Sequence, residues 1–135
     1  MQHPPVILYV EDDPASISIM KAIIEKIMKM PPLTVFQGSE DFMKKVNAMK
    51  SRPDVFILDI HMKPLDGYEL LNMLRSDKRF RHSKIIALTA SVMGEEVDRL
   101  KSNGFDGAIS KPLSIQQFPG LFERILRGER VWFIS

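Results

Sequence analysis

Four stretches of this chain each place reactive side chains at the end of a short apolar run. Glu11, Asp12 and Asp13 follow residues 6–10, Asp59 follows 55–58, Thr89 and Ala90 follow 84–88, and Lys111 and Pro112 follow 105–109. A carboxylate at the edge of a core is unfavourable unless something pairs with it. Carboxylates about 5 Å apart repel by roughly 3 kcal/mol per pair at an effective dielectric of about 20. If these ends meet, the cluster attracts a cation, and an all-oxygen donor set suits Mg²⁺, held by one or two carboxylates with water and phosphate. Lys111 adds a fixed positive charge and Thr89 a hydroxyl donor. Together they would cradle a phosphoryl group, with Asp59 as the attacking carboxylate.

The elements that must position these residues are legible in the spacing. Residues 6–10 are continuous, partly β-branched and short, as a buried strand is. Asp13 before Pro14 reads as an N-cap, and Ile17, Met20, Ile24 and Ile27 follow helical spacing until Pro31-Pro32. A second strand is expected over 33–36, a helix capped by Ser39 over 40–49, and a third strand over 55–58. A helix opening at Asp66 or Gly67 follows, then a strand over 84–88, a helix around 95–101 stopped by Asn103-Gly104, and a strand over 105–109. After Ser114 a short turn through 118 is expected, because Pro119 removes a donor and crowds the preceding turn; the last helix then starts near Pro119. Strands alternating with helices predict an α/β, flavodoxin-like, doubly wound (βα)5 fold with a five-stranded parallel sheet in the order 2-1-3-4-5. In such sheets, sites form beyond the carboxyl ends of the strands, where the four reactive stretches lie.

Composition bounds the rest. The 135 residues suit one domain, and 44% hydrophobic content supports a real core. Nineteen basic against seventeen acidic residues give +2, too balanced to argue for nucleic acid. With no cysteine, disulfides and thiolate metal sites are excluded, which fits a cytoplasmic protein. The start, MQHPPVILYV, lacks the pattern of a secretory signal, and no apolar run approaches the roughly 20 residues that span a bilayer. Residues 1–128 are expected to form the domain and 129–135 a tail or domain junction, its large apolar residues either folding back or marking a cut.

The segments YVEDDP, FILDIHMKPLDG, ALTAS and ISKPLS, in this order, resemble the receiver domain of two-component response regulators across residues 6–126. The resemblance implies that Asp59 is the phosphoacceptor, charged from a phosphohistidine on a sensor histidine kinase or histidine phosphotransfer protein. It implies Mg²⁺ bound by Asp12, by Glu11 largely through water, by Asp59 and by the backbone carbonyl of His61. Thr89 becomes the switch hydroxyl and Lys111 the lysine before a cis proline. Catalysis is then limited to the domain's own phosphorylation and dephosphorylation. Output passes through a downstream protein, without direct nucleic-acid or membrane binding, and a homodimer through the fourth helix, fifth strand and fifth helix is compatible with the pattern.

Two positions depart from the family pattern. Lys63 stands where proline is usual, with Pro64 after it, and Ala108 stands where many receivers carry an aromatic switch residue. A signal drawn through Thr89 is therefore expected to travel by backbone shifts of the 89–94 loop. Two rivals remain: a pseudo-receiver that binds partners without phosphorylation, and an aspartyl-phosphate phosphatase of the haloacid dehalogenase type. The full set Glu11, Asp12, Asp59, Thr89 and Lys111 opposes the first. His61, where the second needs an acidic residue, opposes the other. Elsewhere plain readings hold: the His61 side chain toward solvent, His3 and His82 on the surface, the basic stretch 78–81 as a solvated linker, Asp54 as a turn residue, and Met20, Met28, Met30, Met43, Met49 and Met73 as core filling.

Overall fold

The computed structural model describes residues 4–90 and 94–133. Six strands lie in one sheet: β1 (Ile7–Val10), β2 (Thr34–Phe36), β3 (Val55–Asp59), β4 (Lys84–Thr89), β5 (Gly107–Ser110) and β6 (Val131–Phe133). Their order is β2-β1-β3-β4-β5-β6, and every pairing is parallel. The five-stranded expectation is therefore corrected by one strand at the β5 edge; the remaining order is as expected. Residues 131–133 fold back because they are apolar and β5 offers an unpaired ladder beside them.

Helices α1 (Pro14–Lys21), α2 (Phe42–Asn47), α3 (Gly67–Arg75), α4 (Gly94–Asn103) and α5 (Phe118–Leu126) cover both faces of the sheet. One core joins Leu8, Val10, Phe56, Leu58 and Ala87 to α2, α3 and α4, and the other joins Tyr9, Ile57, Leu88 and Ile109 to α1 and α5. The alternation follows from the pleat, which sends successive side chains to opposite faces. Among the described residues no helix is long and apolar enough to cross a membrane.

Several local expectations change. The first helix continues as a π-helical segment, Ala22–Ile27, closed by Met28 N–H donating to Ile23 O at 2.8 Å. The wider turn carries Ile23 and Ile24 inward and leaves Ile27 half exposed, against the core role its spacing suggests. Ser39 does not cap α2; Asp41, in a left-handed conformation, precedes that helix. Met73 is exposed, and Met20, Met28, Met30, Met43 and Met49 are buried or pack on the cores' margins. Asp54 does more than turn the chain, since its carboxylate accepts from Val6 N–H at 2.8 Å and ties β1 to the entry of β3. The α5 start follows expectation: Ser114 closes a turn by accepting from Gln117 N–H, and Pro119 lies in the first turn of the helix. Gly104 ends α4 at φ 104°. His3 and residues 91–93 of the expected switch loop lie outside the described residues.

The new edge depends on Gly107. A Cβ there would lie 2.7 Å from the Val131 carbonyl oxygen, a backbone atom that cannot swing aside. Gly107→Ala should push β6 off and destabilise the chain by about 1–3 kcal/mol. Trp132, the single tryptophan, is half-buried beside Ala108, so its emission should also shift to the red. Gly120→Ala, in open space on α5, should instead be neutral or stabilise by roughly 0.5–1 kcal/mol in the same melts.

Candidate functional site

The carboxyl ends of β1, β3, β4 and β5 bring the predicted residues to one rim. Glu11 follows β1 directly, held by its N–H donating to Phe36 O at 3.0 Å. Asp59 closes β3 opposite Leu88, and Thr89 closes β4 opposite Ser110. Lys111 follows β5, its N–H donating to Thr89 O at 2.8 Å. Glu11, Asp59 and Thr89 are buried, and Asp12 is exposed at the mouth.

The Lys111 ammonium sits between two carboxylates, 3.0 Å from Glu11 Oε1 and 3.3 Å from Asp59 Oδ2. The other Asp59 oxygen, Oδ1, accepts from His61 N–H at 3.1 Å. Glu11, Asp12 and Asp59 each offer a carboxylate oxygen, and these lie within 4.8 Å of one another. Three carboxylates against one ammonium leave the cluster two positive charges short when all are ionised. That deficit and the oxygen-only donors fit one divalent ion of the Mg²⁺ kind.

Burial pushes the Glu11 carboxyl up from its ordinary pKa, as does neighbouring Asp59, against the pull of Lys111 and Tyr9. For Lys111, burial works against the charge, but the Glu11 and Asp59 carboxylates outweigh it and raise its pKa. Tyr9, a residue the sequence reading passed over as core, donates its hydroxyl to Glu11 Oε1 at 2.8 Å. Burial first, then Glu11, drives its pKa upward, so it stays a donor. A tyrosine two residues before a buried acid on one strand shares its face, which was the available signal.

Asp13 is outside the cluster. Its carboxylate accepts from Ser16 N–H at 3.2 Å and Ser16 Oγ at 2.7 Å, the N-cap role its place before Pro14 predicts. Those Ser16 contacts hold its pKa below the usual carboxylate range. The His61 side chain is exposed, as expected.

The loop after Asp59 is tightly held. Gly67 opens α3 so close to it that a Cβ would meet Ile60 Cδ1 at 2.9 Å and Asp59 O at 3.0 Å. Asp66 caps α3 in a reciprocal capping box with Glu69. Ser39, buried and expected as a helix cap, instead accepts from Leu65 N–H at 2.9 Å. Both Lys63-Pro64 and Lys111-Pro112 are cis, the second as the resemblance implies.

In sequence and fold the chain is similar to known proteins. The family model of the response regulator receiver domain matches residues 7–122, and the chain belongs to that family. Among curated relatives, the polar-differentiation response regulator DivK of Brucella anthropi is 29% identical over 115 residues, 85% of this chain and 90% of that one. DivK of Brucella ovis is 34% identical over 71 residues, 53% of this chain and 58% of that one. Of solved structures, the signal receiver domain of a signal transduction histidine kinase from Syntrophus aciditrophicus superposes with a TM-score of 0.77 at 27% identity, covering 92% and 91% of the two chains. Chemotaxis response regulator CheY4 of Vibrio cholerae, at 20% identity, shares the fold with a TM-score of 0.79, over 90% and 98%.

A raised carboxyl pKa means that charging Glu11 opposes folding. Its contribution favours the fold below the unfolded pKa and is lost as pH rises through the folded one. Glu11→Gln keeps an acceptor for Tyr9 and Lys111 without the charge. In metal-free buffer near neutral pH it should raise Tm by roughly 3–5 °C, about 1 kcal/mol for a chain of this size. The gap should close as acid protonates Glu11 in the parent, which a pH series of melts reads directly.

Proposed function

We propose that this receiver is a phosphorylation switch whose acceptor is Asp59, charged from a phosphohistidine on a sensor histidine kinase or histidine phosphotransfer protein. The observation that carries the reading is the Lys111 ammonium bridging Glu11 and Asp59, with Asp12 exposed beside them. An Asp59 oxygen attacks phosphorus, the N–P bond breaks, and the imidazole leaves with its electron pair and takes up a proton. The product is an acyl phosphate, later hydrolysed by water; no external metabolite is turned over. Lys111 and the His61 N–H orient the carboxylate, and Lys111 offers charge to the oxygens of the transferred group. Thr89, at the end of β4, is the hydroxyl we assign to those same oxygens.

Asp12, Asp59 and the His61 carbonyl are the assigned Mg²⁺ ligands, with Glu11 acting largely through water. When bound, the ion offsets charge on the phosphoryl oxygens. The excess of three carboxylates over one ammonium supports the assignment.

Output is proposed to leave through a protein surface, in a cytoplasmic setting. β6 occupies the edge of β5, so the receiver unit extends through β6, and the output face, with any homodimer contact, is formed by α4, β6 and α5. Trp132 reports on it: the residue is the strand partner of Ala108, and its ring centroid lies 5.3 Å from the Lys101 ammonium of α4. Without an aromatic at position 108, displacement of α4 registers at this neighbouring ring.

Acetyl phosphate with Mg²⁺ should add one phosphoryl group by intact mass. Asp59→Asn should abolish it, and Asp13→Asn should keep most of it; full labelling of Asp59→Asn would sink the assignment. Asp12→Ala should weaken Mg²⁺ at least about tenfold, roughly 1.4 kcal/mol by calorimetry. Beryllofluoride with Mg²⁺ should change Trp132 emission in the parent and not in Asp59→Asn.

A further inference from the structure

The opposite end of the sheet carries a second polar concavity. Three adjoining hollows of about 290, 320 and 180 Å³ all share His82 in their walls. Arg81 and Arg130 line one, Arg52 and Lys78 the next, and Lys84 and Arg130 the third. They cluster at the amino ends of β3, β4 and β6. Five residues of β4, at about 3.3 Å each, put them roughly 16 Å from Thr89.

The acidic residues here are already engaged. Asp54 accepts from Val6 N–H, Asp77 pairs with Arg79 at 2.7 Å, Asp106 with Arg75 at 2.8 Å, and Glu129 with Arg124 at 3.1 Å. Among the described residues, Arg52, Lys78, Arg81, Lys84 and Arg130 form no ion pair within 4.0 Å.

The backbone presenting them is fixed. Arg75 Nη1 donates to the carbonyls of Arg81 and Ser83, both at 2.9 Å, and its Nη2 to Gly104 O and Asp106. Phe80 is buried edge-on against Phe56, with their centroids 5.4 Å apart. The stretch 78–81 is solvated as expected, with Lys78, Arg79 and Arg81 exposed, and its backbone is pinned. Cations on a pinned backbone lose less freedom on binding than cations on a mobile one.

We infer that this groove docks a carboxylate-rich segment of a partner protein. Single-stranded nucleic acid calls for a run of exposed aromatic platforms, and here Phe80 is buried and the hollows offer a single ring, the His82 imidazole. Asp54, Asp106 and Glu129 are interspersed through the same hollows, which disfavours a uniformly charged phosphate backbone and tolerates a peptide with spaced carboxylates.

The test is fluorescence anisotropy of a labelled peptide of alternating Glu and Asp against the full chain at about 0.15 M salt. The peptide should bind, and Arg81→Ala with Arg130→Ala should weaken it about fivefold, the scale of two surface charges. Arg52→Ala with Lys78→Ala, at the other end of the groove, should do the same if the first pair disturbs folding. Lys21→Ala with Lys26→Ala, two exposed lysines of the first helix, removes equal charge and should change affinity less than about twofold. Acetyl phosphate labelling should persist in all three. No binding, equal weakening in groove and control variants, or tighter binding of duplex DNA than of the peptide would each overturn the inference.

Discussion

Everything at the rim depends on one ammonium held between two buried carboxylates. Glu11 and Asp59 come from different strands, and neither would be tolerated in a core edge alone. Lys111 reaches both, and Tyr9 and the His61 N–H take up further lone pairs. Among the described residues no buried side-chain polar atom is left without a partner. The arrangement remains electrostatically incomplete, because one cation faces three carboxylates. Removing the Lys111 charge would leave the buried Glu11 and Asp59 carboxylates uncompensated. The same deficit that strains the site makes it receptive to a divalent ion.

The sheet turns this pairing into a rigid geometry. Parallel strands order their carboxyl ends along one rim, and helices on both faces keep the sheet from slipping register. α3 begins almost in contact with the Asp59 backbone, so the loop after Asp59 is clamped between Gly67, Ser39 and the α3 cap. α4 is held more loosely, by contacts at its flanks. Tyr68 donates to Glu96 at 3.1 Å and lies beneath the Arg99 guanidinium, and Lys101 reaches over Trp132. These are side-chain contacts near the surface, easier to exchange than core packing.

At the far end Arg75 plays the corresponding structural part. Its guanidinium gathers the loops before β4 and β5 by bonding three carbonyls and Asp106, whose carboxylate also accepts from Ile85 N–H at 2.9 Å. The two ends of the sheet thus have opposite character. The rim at the carboxyl ends of the strands is rich in carboxylates, and the far end is rich in cations that form no ion pair among the described residues. A chain of nearly balanced net charge therefore separates its charge along the strand axis, which net charge alone does not reveal.

The amino-acid sequence by itself determined the elements that obey local rules. Apolar runs marked β1, β3 and β4, proline and caps marked the starts of α1, α3 and α5, and the reactive residues stood where strands end. Asp59, Glu11, Asp12, Thr89 and Lys111 were legible because each interrupts or follows a hydrophobic run, a local signal. What only the tertiary structure decided were features in which distant residues meet. β6 exists because residues 131–133 find an open ladder on β5 and a glycine at 107 that admits their backbone. Ser39 looked like a cap residue because its hydroxyl acts on Leu65, 26 residues along the chain. Ile27 turned outward because a π-helical turn altered the phase of a regular pattern. Local spacing encodes a residue's periodic environment, but hydrogen bonds between remote segments and the choice of sheet edge depend on which surfaces packing brings together.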